Sequence, residues 1–153
     1  MAIRAEKAQV TVALDLQRGL PTIAADPSDM DTLVTNLLDN ALQYTPPGGT
    51  ITAFCGTELQ QVILTVSDTG VGIPQEDLPH IFDRFYRADR ARSRRGAVGG
   101  SGAGLGLAIV KGIVSAHGGV VEAHSGTGAG TTITVRFPVA LGEAPLGPAV
   151  AVP

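Results

Sequence analysis

The chain has 153 residues, of which 44% are hydrophobic and 16% are charged, and its formal net charge is −3. This length fits one domain with a substantial core, and the charge excludes binding to nucleic acid or anionic membranes that is driven by overall charge. The single cysteine, Cys55, excludes an internal disulfide. Because the sequence shows no long apolar run and no leader-like start, we expect a soluble cytosolic domain.

The first predicted elements are a β-hairpin and a long helix. Gln9 to Asp15 and Thr22 to Ala25 have strand-like composition and are joined by the turn sequence QRGLP, which favours an antiparallel pair. Asp26 is a candidate N-cap and Pro27 suits the first helical position, as is typical of a helix start. Apolar residues then recur at three- and four-residue spacing up to the sequence PPGG at 46–49, which ends the predicted helix.

The rest of the chain predicts two further strand pairs, a second long helix, a loop and a tail. The elements are strands Thr50 to Thr57 and Leu59 to Ser67, a short helix near Gln75 to Pro79, a helix from Gly104 to His117, and strands Val120 to His124 and Thr131 to Phe137. Residues 88–103 are rich in Arg, Ser and Gly and predict a long loop that could act as a lid. Residues 139–153 predict a frayed tail, so the domain is expected to span residues 1–138.

A row of polar residues borders the apolar face of the first long helix. Thr32, Asn36, Asn40 and Gln43 follow one another at intervals of three and four residues, so they share one side of the helix. Amide oxygens can ligate a hard cation, and amide N–H groups can bind phosphate. The alternative interpretation is an ordinary solvated face.

The heptapeptide DTGVGIP, residues 68–74, follows an apolar strand. A carboxylate at Asp68 would be held by the strand, while Gly70 and Gly72 would allow backbone to approach a flat ligand closely. A carboxylate accepts a hydrogen bond from the amino group of adenine and repels the carbonyl oxygen of guanine, so such a site would prefer ATP to GTP. The alternative is a turn closed by an Asx-type hydrogen bond.

Glycines and arginines dominate the segment before the second long helix. The glycines of GGSGAGLGL, residues 99–107, lead into the helix, where free backbone N–H groups and the helix dipole favour phosphate. This pattern matches neither GxxxxGK[ST] nor GxGxxG, and a glycine-rich linker is the alternative. Between Arg84 and Arg95 lie six of the eleven basic residues. The two beside the aromatic residues of IFDRFYR, Arg84 and Arg87, could face a polyphosphate, whereas surface charge is the simpler interpretation for the others.

Four segments occur in the order NLLDNALQYT, DTGVGIP, IFDRFYR and GGSGAGLGLAIV, and they are followed by HGG and GTTITVRFP. Together and in this order, they resemble the N, G1, F and G2 boxes of the catalytic and ATP-binding domain of sensor histidine kinases. The resemblance covers residues 8–138. It implies the Bergerat ATP-binding fold of the GHKL superfamily, an α+β two-layer sandwich in which a mixed, mainly antiparallel sheet backs about three helices. It also implies ATP and Mg²⁺ as cofactors, and transfer of the γ-phosphoryl group to a histidine.

At the matching positions, the resemblance implies that Asn40 ligates Mg²⁺ and that Asn36 contacts the phosphates or the metal's ligand shell. It implies that Asp68 binds the adenine amino group and that Gly70 and Gly72 line the base. The other positions implied to contact the nucleotide are Gln43, Tyr44, Ile73, Gly102, Gly104, Leu105, Gly106, Leu107 and Thr131. Arg87 and Arg84 are implied to neutralise the terminal phosphate during transfer.

The sequence departs from the family pattern in two ways. The family usually has Lys or Arg where this chain has Gln43, so one positive charge expected near the phosphates is missing. No HE or HD followed by Leu-Arg-Thr-Pro occurs, and none of the three histidines resembles a phosphoacceptor. The resemblance therefore implies a separate histidine-bearing dimerisation domain in the parent kinase as the direct partner and a response regulator as an indirect one.

Several expectations follow for the isolated chain, and three other functions stay open. We expect a cytoplasmic monomer that does not autophosphorylate, without nucleic-acid or direct membrane contact, from a membrane-anchored parent. A gyrase- or Hsp90-like ATPase would need a water-activating glutamate where Asn36 stands. A serine kinase of the same fold is the second alternative, and a degenerate interaction domain that has lost its nucleotide is the third. We assign no ligand-binding role to the histidines; His117 is expected to end a helix and Cys55 to be a small strand residue.

Overall fold

The computed structural model describes residues 2–86 and 104–140. Within them, three α-helices pack on one face of a five-stranded mixed sheet. The helices are α1 (Ala2–Ala8), α2 (Pro27–Tyr44) and α3 (Gly106–Ala116), and the strands are β1 (Thr11–Leu16), β2 (Thr50–Glu58), β3 (Gln61–Asp68), β4 (Val120–Ser125) and β5 (Thr131–Pro138). The sheet order is β1-β2-β3-β5-β4. The predicted α+β two-layer sandwich is confirmed.

The core lies between the helices and one face of the sheet. Leu33 and Leu37 of α2 and Val110 of α3 are fully buried against inward-facing strand residues such as Ile51 and Val135. The opposite face is polar, with side-chain hydrogen bonds between the cross-strand pairs Thr65–Thr134 and Ser67–Thr132. Because apolar side chains on the sheet mainly face one side, the helices cover only that side.

Helix α2 begins where the sequence predicts. Asp26 caps it by accepting hydrogen bonds from the backbone N–H groups of Ser28 and Asp29, and Pro27 is the first helical residue. At the other end, the Thr45 N–H still bonds to the Ala41 carbonyl while Thr45 itself is extended. The buried residues of α2 recur at helical spacing, so the predicted helix is confirmed at both ends.

The predicted N-terminal hairpin is wrong. Strand β1 pairs in parallel with β2, from Thr11 beside Thr50 to Leu16 beside Cys55. Ile23, in the second predicted strand, instead forms an isolated antiparallel bridge with Val139. Parallel neighbours need a crossover connection, and α2 provides it, so the turn-like sequence QRGLP leads away from β1 rather than back along it. Helix α1, which the sequence reading did not identify, precedes β1.

The remaining elements agree with the prediction in type and differ at their ends. β2 and β3 form the predicted hairpin, and β4 and β5 the second pair. The short helix expected near Gln75 to Pro79 is a single 3-10 turn, Leu78–His80, and α3 starts two residues later than predicted. As expected, His117 is the C-cap of α3 and Cys55 is a partly buried strand residue.

The predicted lid, residues 88–103, and residues 141–153 of the predicted tail lie outside the described residues. Val139 and Ala140 still hydrogen-bond to Gln60 and Thr22, so the chain stays attached to the sheet two residues beyond the predicted end of the domain. In the two described ranges, no helix has the length and apolar character needed to cross a membrane.

Candidate functional site

A row of side chains in register crosses the sheet at the end where α2 finishes. Ile51 pairs with Asp68, Asp68 pairs with Thr131, and Thr131 pairs with Ser125. Directly opposed residues point to the same face of a sheet, and Ile51 is buried beneath the helices. Asp68, Thr131 and Ser125 therefore all point to the helix-covered face, where they form a polar patch at the edge of the core.

Within residues 2–86 and 104–140, the Asp68 carboxylate is held through one oxygen only. Its Oδ1 accepts hydrogen bonds from the backbone nitrogens of Gly70 at 2.8 Å and Thr131 at 3.2 Å. Its Oδ2 accepts none from any described residue. Desolvation by burial raises the pKa of Asp68, and the two backbone hydrogen bonds oppose that rise. A partly buried carboxylate with one free oxygen is a strong acceptor for a ligand N–H group.

The glycines after Asp68 are required by close packing. A Cβ on Gly70 would lie 2.4 Å from the Tyr44 carbonyl oxygen, and a Cβ on Gly72, where φ is +70°, would lie 1.9 Å from the Gly126 carbonyl oxygen. Neither space admits a side chain. Val71 N–H also bonds to the Tyr44 carbonyl at 3.2 Å. The segment 68–74 is therefore held between the end of α2 and the β4–β5 turn.

The last residue of β4 is part of the site, and the sequence reading missed it. The Ser125 hydroxyl accepts a hydrogen bond from Ile73 N–H at 2.8 Å and donates one to the Gly130 carbonyl at 2.7 Å. The Ser125 carbonyl accepts from the Gln75 side chain at 3.0 Å. In the sequence, Ser125 is one of several small residues in a turn, and only the register of β4 on β5 shows that it lies beside Thr131.

One side of α2 continues the site toward α3. Asn36, Asn40 and Tyr44 follow at intervals of four residues and are partly buried, so they span about 12 Å along the helix axis. Asn36 donates a hydrogen bond to the Thr32 carbonyl at 2.8 Å, whereas the Asn40 side chain bonds to no described residue. Gln43 is exposed beside this row.

The start of α3 meets this row at Asn36. A Cβ on Gly106 would lie 3.1 Å from the Asn36 Oδ1, and Gly104 has a φ of +70° and packs on the backbone of Phe85 and Tyr86. The N-cap residue Leu105 makes no side-chain capping bond, so no described side chain caps the first N–H groups of α3, and these groups can bind an anion. Leu107 packs against the core. Gly102 lies outside the described residues.

The aromatic and basic turn is attached to the start of α3. Phe85 N–H bonds to the Gly104 carbonyl at 3.0 Å, and the Tyr86 hydroxyl bonds to Asp77. Arg84 is exposed within this turn. Arg87 lies outside the described residues, so its predicted contact with a terminal phosphate stays a prediction.

The donor set limits what kind of cation the site could hold. Residues 2–86 and 104–140 contain no group of three His, Cys, Asp or Glu side chains placed to bind a metal. The free side chain of Asn40 offers one amide oxygen. Mg²⁺ keeps several waters and takes only one or two protein ligands together with substrate phosphates, so Asn40 fits that ion and would not fit a metal held by protein alone.

A separate apolar pocket of about 270 Å³ lies between Ile23, His117 and Phe137. Asp26 at the start of α2 bonds to His117 at the end of α3, so this pocket is at the opposite end of both helices from Asn40 and Gly106. Apart from His117, its lining is apolar. It lacks the charged and backbone groups that a nucleotide would need.

Comparisons with known proteins match the chain to one family. The family model described as "Histidine kinase-, DNA gyrase B-, and HSP90-like ATPase" matches residues 25–141. The sensor protein SrrB of Staphylococcus aureus is 45% identical over 113 residues, which cover 74% of this chain and 19% of that protein. The chain thus spans about a fifth of the length of the curated relatives that it matches.

Solved structures show the same architecture. The mycobacterial sensor histidine kinase MprB superposes with a TM-score of 0.73 at 28% identity, covering 90% of this chain and 87% of that one. Full-length ShkA, in complex with AMPPNP, superposes with a TM-score of 0.79 at 31% identity, covering 95% of this chain and 29% of that one. The predicted Bergerat fold is confirmed.

Proposed function

This chain belongs to the family of histidine kinase-, DNA gyrase B- and HSP90-like ATPases, and we propose that it is the catalytic and ATP-binding domain of a sensor histidine kinase. In this proposal it binds Mg-ATP and donates the γ-phosphoryl group to a histidine on a separate dimerisation domain. The observation that carries it is the arrangement of Asp68, the Asn36–Asn40–Tyr44 side of α2 and the start of α3 around one end of the helix layer. The identity with SrrB supports the kinase type.

The base would bind at the sheet end of the site. The free Oδ2 of Asp68 would accept a hydrogen bond from the adenine amino group, and the backbone of Gly70 and Gly72 would lie against the ring. Ile73 and Thr131, both joined to Ser125, would complete this end. ATP would be preferred over GTP, because in GTP the carbonyl oxygen of guanine would face the carboxylate and be repelled by it.

The phosphates would bind between α2 and α3. The uncapped N–H groups at residues 105–107 would bind phosphate oxygens, and Asn36 and Asn40 would face them from α2. Asn40 would hold the Mg²⁺, which supplies neutralisation of the phosphate charge when bound. Arg84 and Arg87, the glycine-rich segment with Gly102, and the exposed Gln43 are proposed at the terminal phosphate. Tyr44 is proposed near the ribose.

The reaction needs no general base from this chain. A histidine nitrogen of the acceptor domain would attack the γ-phosphorus, the bond to the bridging oxygen would break, and ADP would leave. Phosphoryl transfer depends on positioning and charge neutralisation rather than on covalent help from the protein. This suits a site whose described polar groups include amides, backbone N–H groups, hydroxyls and Arg84, with a carboxylate at the base end.

The histidines of this chain are poor acceptors, so we propose that the chain does not phosphorylate itself. Both ring nitrogens of His117 are hydrogen-bonded, to Ile113 and Asp26. His80 lies in a single 3-10 turn rather than on a long helix, and His124 lies on the opposite face of the sheet from Asp68, one register position away from Ser125. The partners are then the histidine-bearing domain of the parent kinase and, indirectly, a response regulator.

A gyrase-like ATPase is the main rival function. Such an enzyme needs a group that activates water near the γ-phosphate. Asn36 cannot act as this base, because a side-chain amide does not take up a proton near neutral pH. The Asn36 amide is also directed back to Thr32. Steady ATP turnover by the purified chain would favour this rival over the kinase.

Two experiments test the proposal. Calorimetry with ATP, in the presence and absence of Mg²⁺, should show saturable binding that Mg²⁺ strengthens. The chain mixed with radiolabelled ATP and the parent's histidine-bearing domain should transfer label into an acid-labile, base-stable phosphohistidine. Absence of ATP binding would instead favour a degenerate interaction domain, and acid-stable label would indicate a serine kinase.

Location and oligomeric state are part of the proposal. We propose that this domain is cytoplasmic, where ATP is available, and that its parent is membrane-anchored. We propose that the domain is a monomer without nucleic-acid or membrane contact. Sedimentation of the purified chain should give a single species of monomer mass at all concentrations.

A further inference from the structure

The hydroxyl of Ser125 lies where three segments of the proposed nucleotide site meet. Its oxygen is 2.8 Å from the Ile73 backbone nitrogen, 2.7 Å from the Gly130 carbonyl oxygen and 3.0 Å from the Thr131 hydroxyl oxygen. Ser125 is partly buried and Thr131 is buried. Water therefore competes weakly for these contacts. The three hydrogen bonds define where the proton of the Ser125 hydroxyl points.

Only one arrangement of the hydroxyl protons satisfies these contacts. A backbone N–H can only donate and a carbonyl can only accept, so Ser125 accepts from Ile73 and gives its single proton to Gly130. Toward Thr131 it can therefore only accept. Thr131 must direct its own proton to Ser125. Toward any other group, the Thr131 hydroxyl oxygen can therefore only accept a hydrogen bond.

The polarity of Thr131 matters because Asp68 is its cross-strand neighbour. Opposed side chains in an antiparallel pair lie about 5 Å apart at their Cβ atoms, so both groups are within reach of one edge of a bound base. Asp68 offers only acceptors when ionised, and Thr131, with its proton committed, offers an acceptor as well. This edge of the site then presents no hydrogen-bond donor.

We propose that Ser125 is a positioning residue that sets base specificity by orienting the Thr131 hydroxyl. With Ser125 in place, the site suits the amino group at the 6-position of adenine and rejects the carbonyl of a 6-oxopurine. Without it, the Thr131 proton is free to rotate and donate to that carbonyl. The proposal rests on the proposed ATP-binding function and deepens it.

The test compares the dissociation constants of ATP and inosine triphosphate, which differ only at the 6-position and the adjoining ring nitrogen. Calorimetry with Mg²⁺ on the wild-type chain and Ser125→Ala should show that the preference for ATP falls about three- to tenfold, as expected from one net hydrogen bond. Ser125→Thr keeps the hydroxyl and should keep the wild-type preference. In a Thr131→Val background, Ser125→Ala should leave the preference unchanged, because no hydroxyl remains to be oriented.

Equal weakening of both nucleotides by Ser125→Ala would overturn the proposal, since it would show that the serine only holds the loop. A fall in preference that persists in the Thr131→Val background would also overturn it. If Ser125→Ala does not fold by circular dichroism, Ser125→Cys replaces it, and an unchanged preference there counts against the proposal. Failure of the wild-type chain to bind ATP would refute the proposed function itself, and the wild-type titration shows this separately.

Discussion

The base end and the phosphate end of the proposed site are built in different ways. Around Asp68, strand pairing, glycine contacts and the Ser125 hydrogen bonds specify the position of nearly every group. Around Asn40 and the start of α3, the described polar groups are mostly free: Asn40 has no side-chain partner, α3 has no capping side chain and Arg84 is exposed.

The difference fits what each end would do in the proposed function. Reading a base requires fixed donors and acceptors, and a sheet edge holds them with little freedom. Releasing ADP and meeting a second domain requires groups that are satisfied only when phosphate is present, so these groups have few partners within the chain itself. We therefore expect substitutions at the base end to alter both folding and binding, and substitutions at the phosphate end to alter binding alone.

The largest effect is expected at Gly130. Its φ is +77° and a Cβ would lie 1.9 Å from the Asp68 carbonyl oxygen, so Gly130→Ala combines left-handed backbone strain with a clash, which together cost about 2–5 kcal/mol. Urea denaturation should show this loss. Gly128→Ala is the matched control, because Gly128 has a φ of +79° but nothing within 4 Å, and it should cost only about 1–2 kcal/mol. Equal losses would mean that packing on Asp68 is unimportant.

Asp68→Asn should weaken ATP binding about ten- to hundredfold, since a hydrogen bond to a charged group is worth about 1.5–3 kcal/mol. The amide oxygen would take over the bonds from Gly70 and Thr131, so the amide NH₂ would face the adenine amino group, donor against donor. Calorimetry measures the change. Ser67→Ala, on the opposite face of the same strand, is the control, and an unaltered ATP affinity for Asp68→Asn would refute the base assignment.

Asn40→Ala should weaken Mg-ATP binding about tenfold, the size expected for one ligand contact of about 1.4 kcal/mol, with no loss of stability in urea denaturation, because Ala is the better helix former. The Asn40 side chain has no partner to lose among the residues that the structure describes. The measurement is the ratio of ATP affinities with and without Mg²⁺, which should fall toward one. Gln43→Ala, on the same helix and exposed, should keep the ratio of the wild-type chain. Because Gln43 is itself proposed near the terminal phosphate, Thr35→Ala, also exposed on α2, is the control outside the site and should keep both the affinity and the ratio. A loss of stability in Asn40→Ala would contradict the contrast between the two ends.

The smallest predicted effect is a pH dependence at Asp68. Burial raises its pKa above the usual 3.8, so the folded chain holds this proton more tightly than the unfolded chain does. The free energy of unfolding of the wild-type chain should therefore rise, relative to that of Asp68→Asn, as the pH is lowered from neutral through the raised pKa toward 3.8. ATP affinity should fall over the same range, because the protonated group loses its charge.

Urea denaturation and calorimetry across that pH range measure both trends. The Asp68→Asn chain provides the baseline, since it shares every other titrating group and the titration of ATP itself cancels in the comparison. If the wild-type chain loses stability relative to this variant on acidification, the carboxylate is stabilised rather than destabilised by its surroundings.

Local patterns in the sequence were sufficient for the long helices and for the β2–β3 and β4–β5 pairs. The N-cap Asp26, the apolar spacing of α2 and the PPGG stop are features of neighbouring residues, so they act the same way in any tertiary context. The prediction for β1 was wrong because the pairing partner of a strand is not a property of neighbouring residues. Strand composition shows that Thr11–Leu16 is extended, but the choice between an antiparallel neighbour and the parallel β2 depends on where α2 takes the chain.

The sequence by itself determined that Asp68, the asparagines of α2 and the glycines before α3 were the candidates for nucleotide binding, because their chemistry and spacing are local properties. Only the tertiary structure decided that Ser125 belongs with them. Its role depends on the pairing of β4 with β5 and β5 with β3, which brings residues 57 positions apart in the chain, Asp68 and Ser125, into one row across the sheet. Such a row arises from long-range hydrogen bonds between strands, and no periodicity within any single strand encodes it.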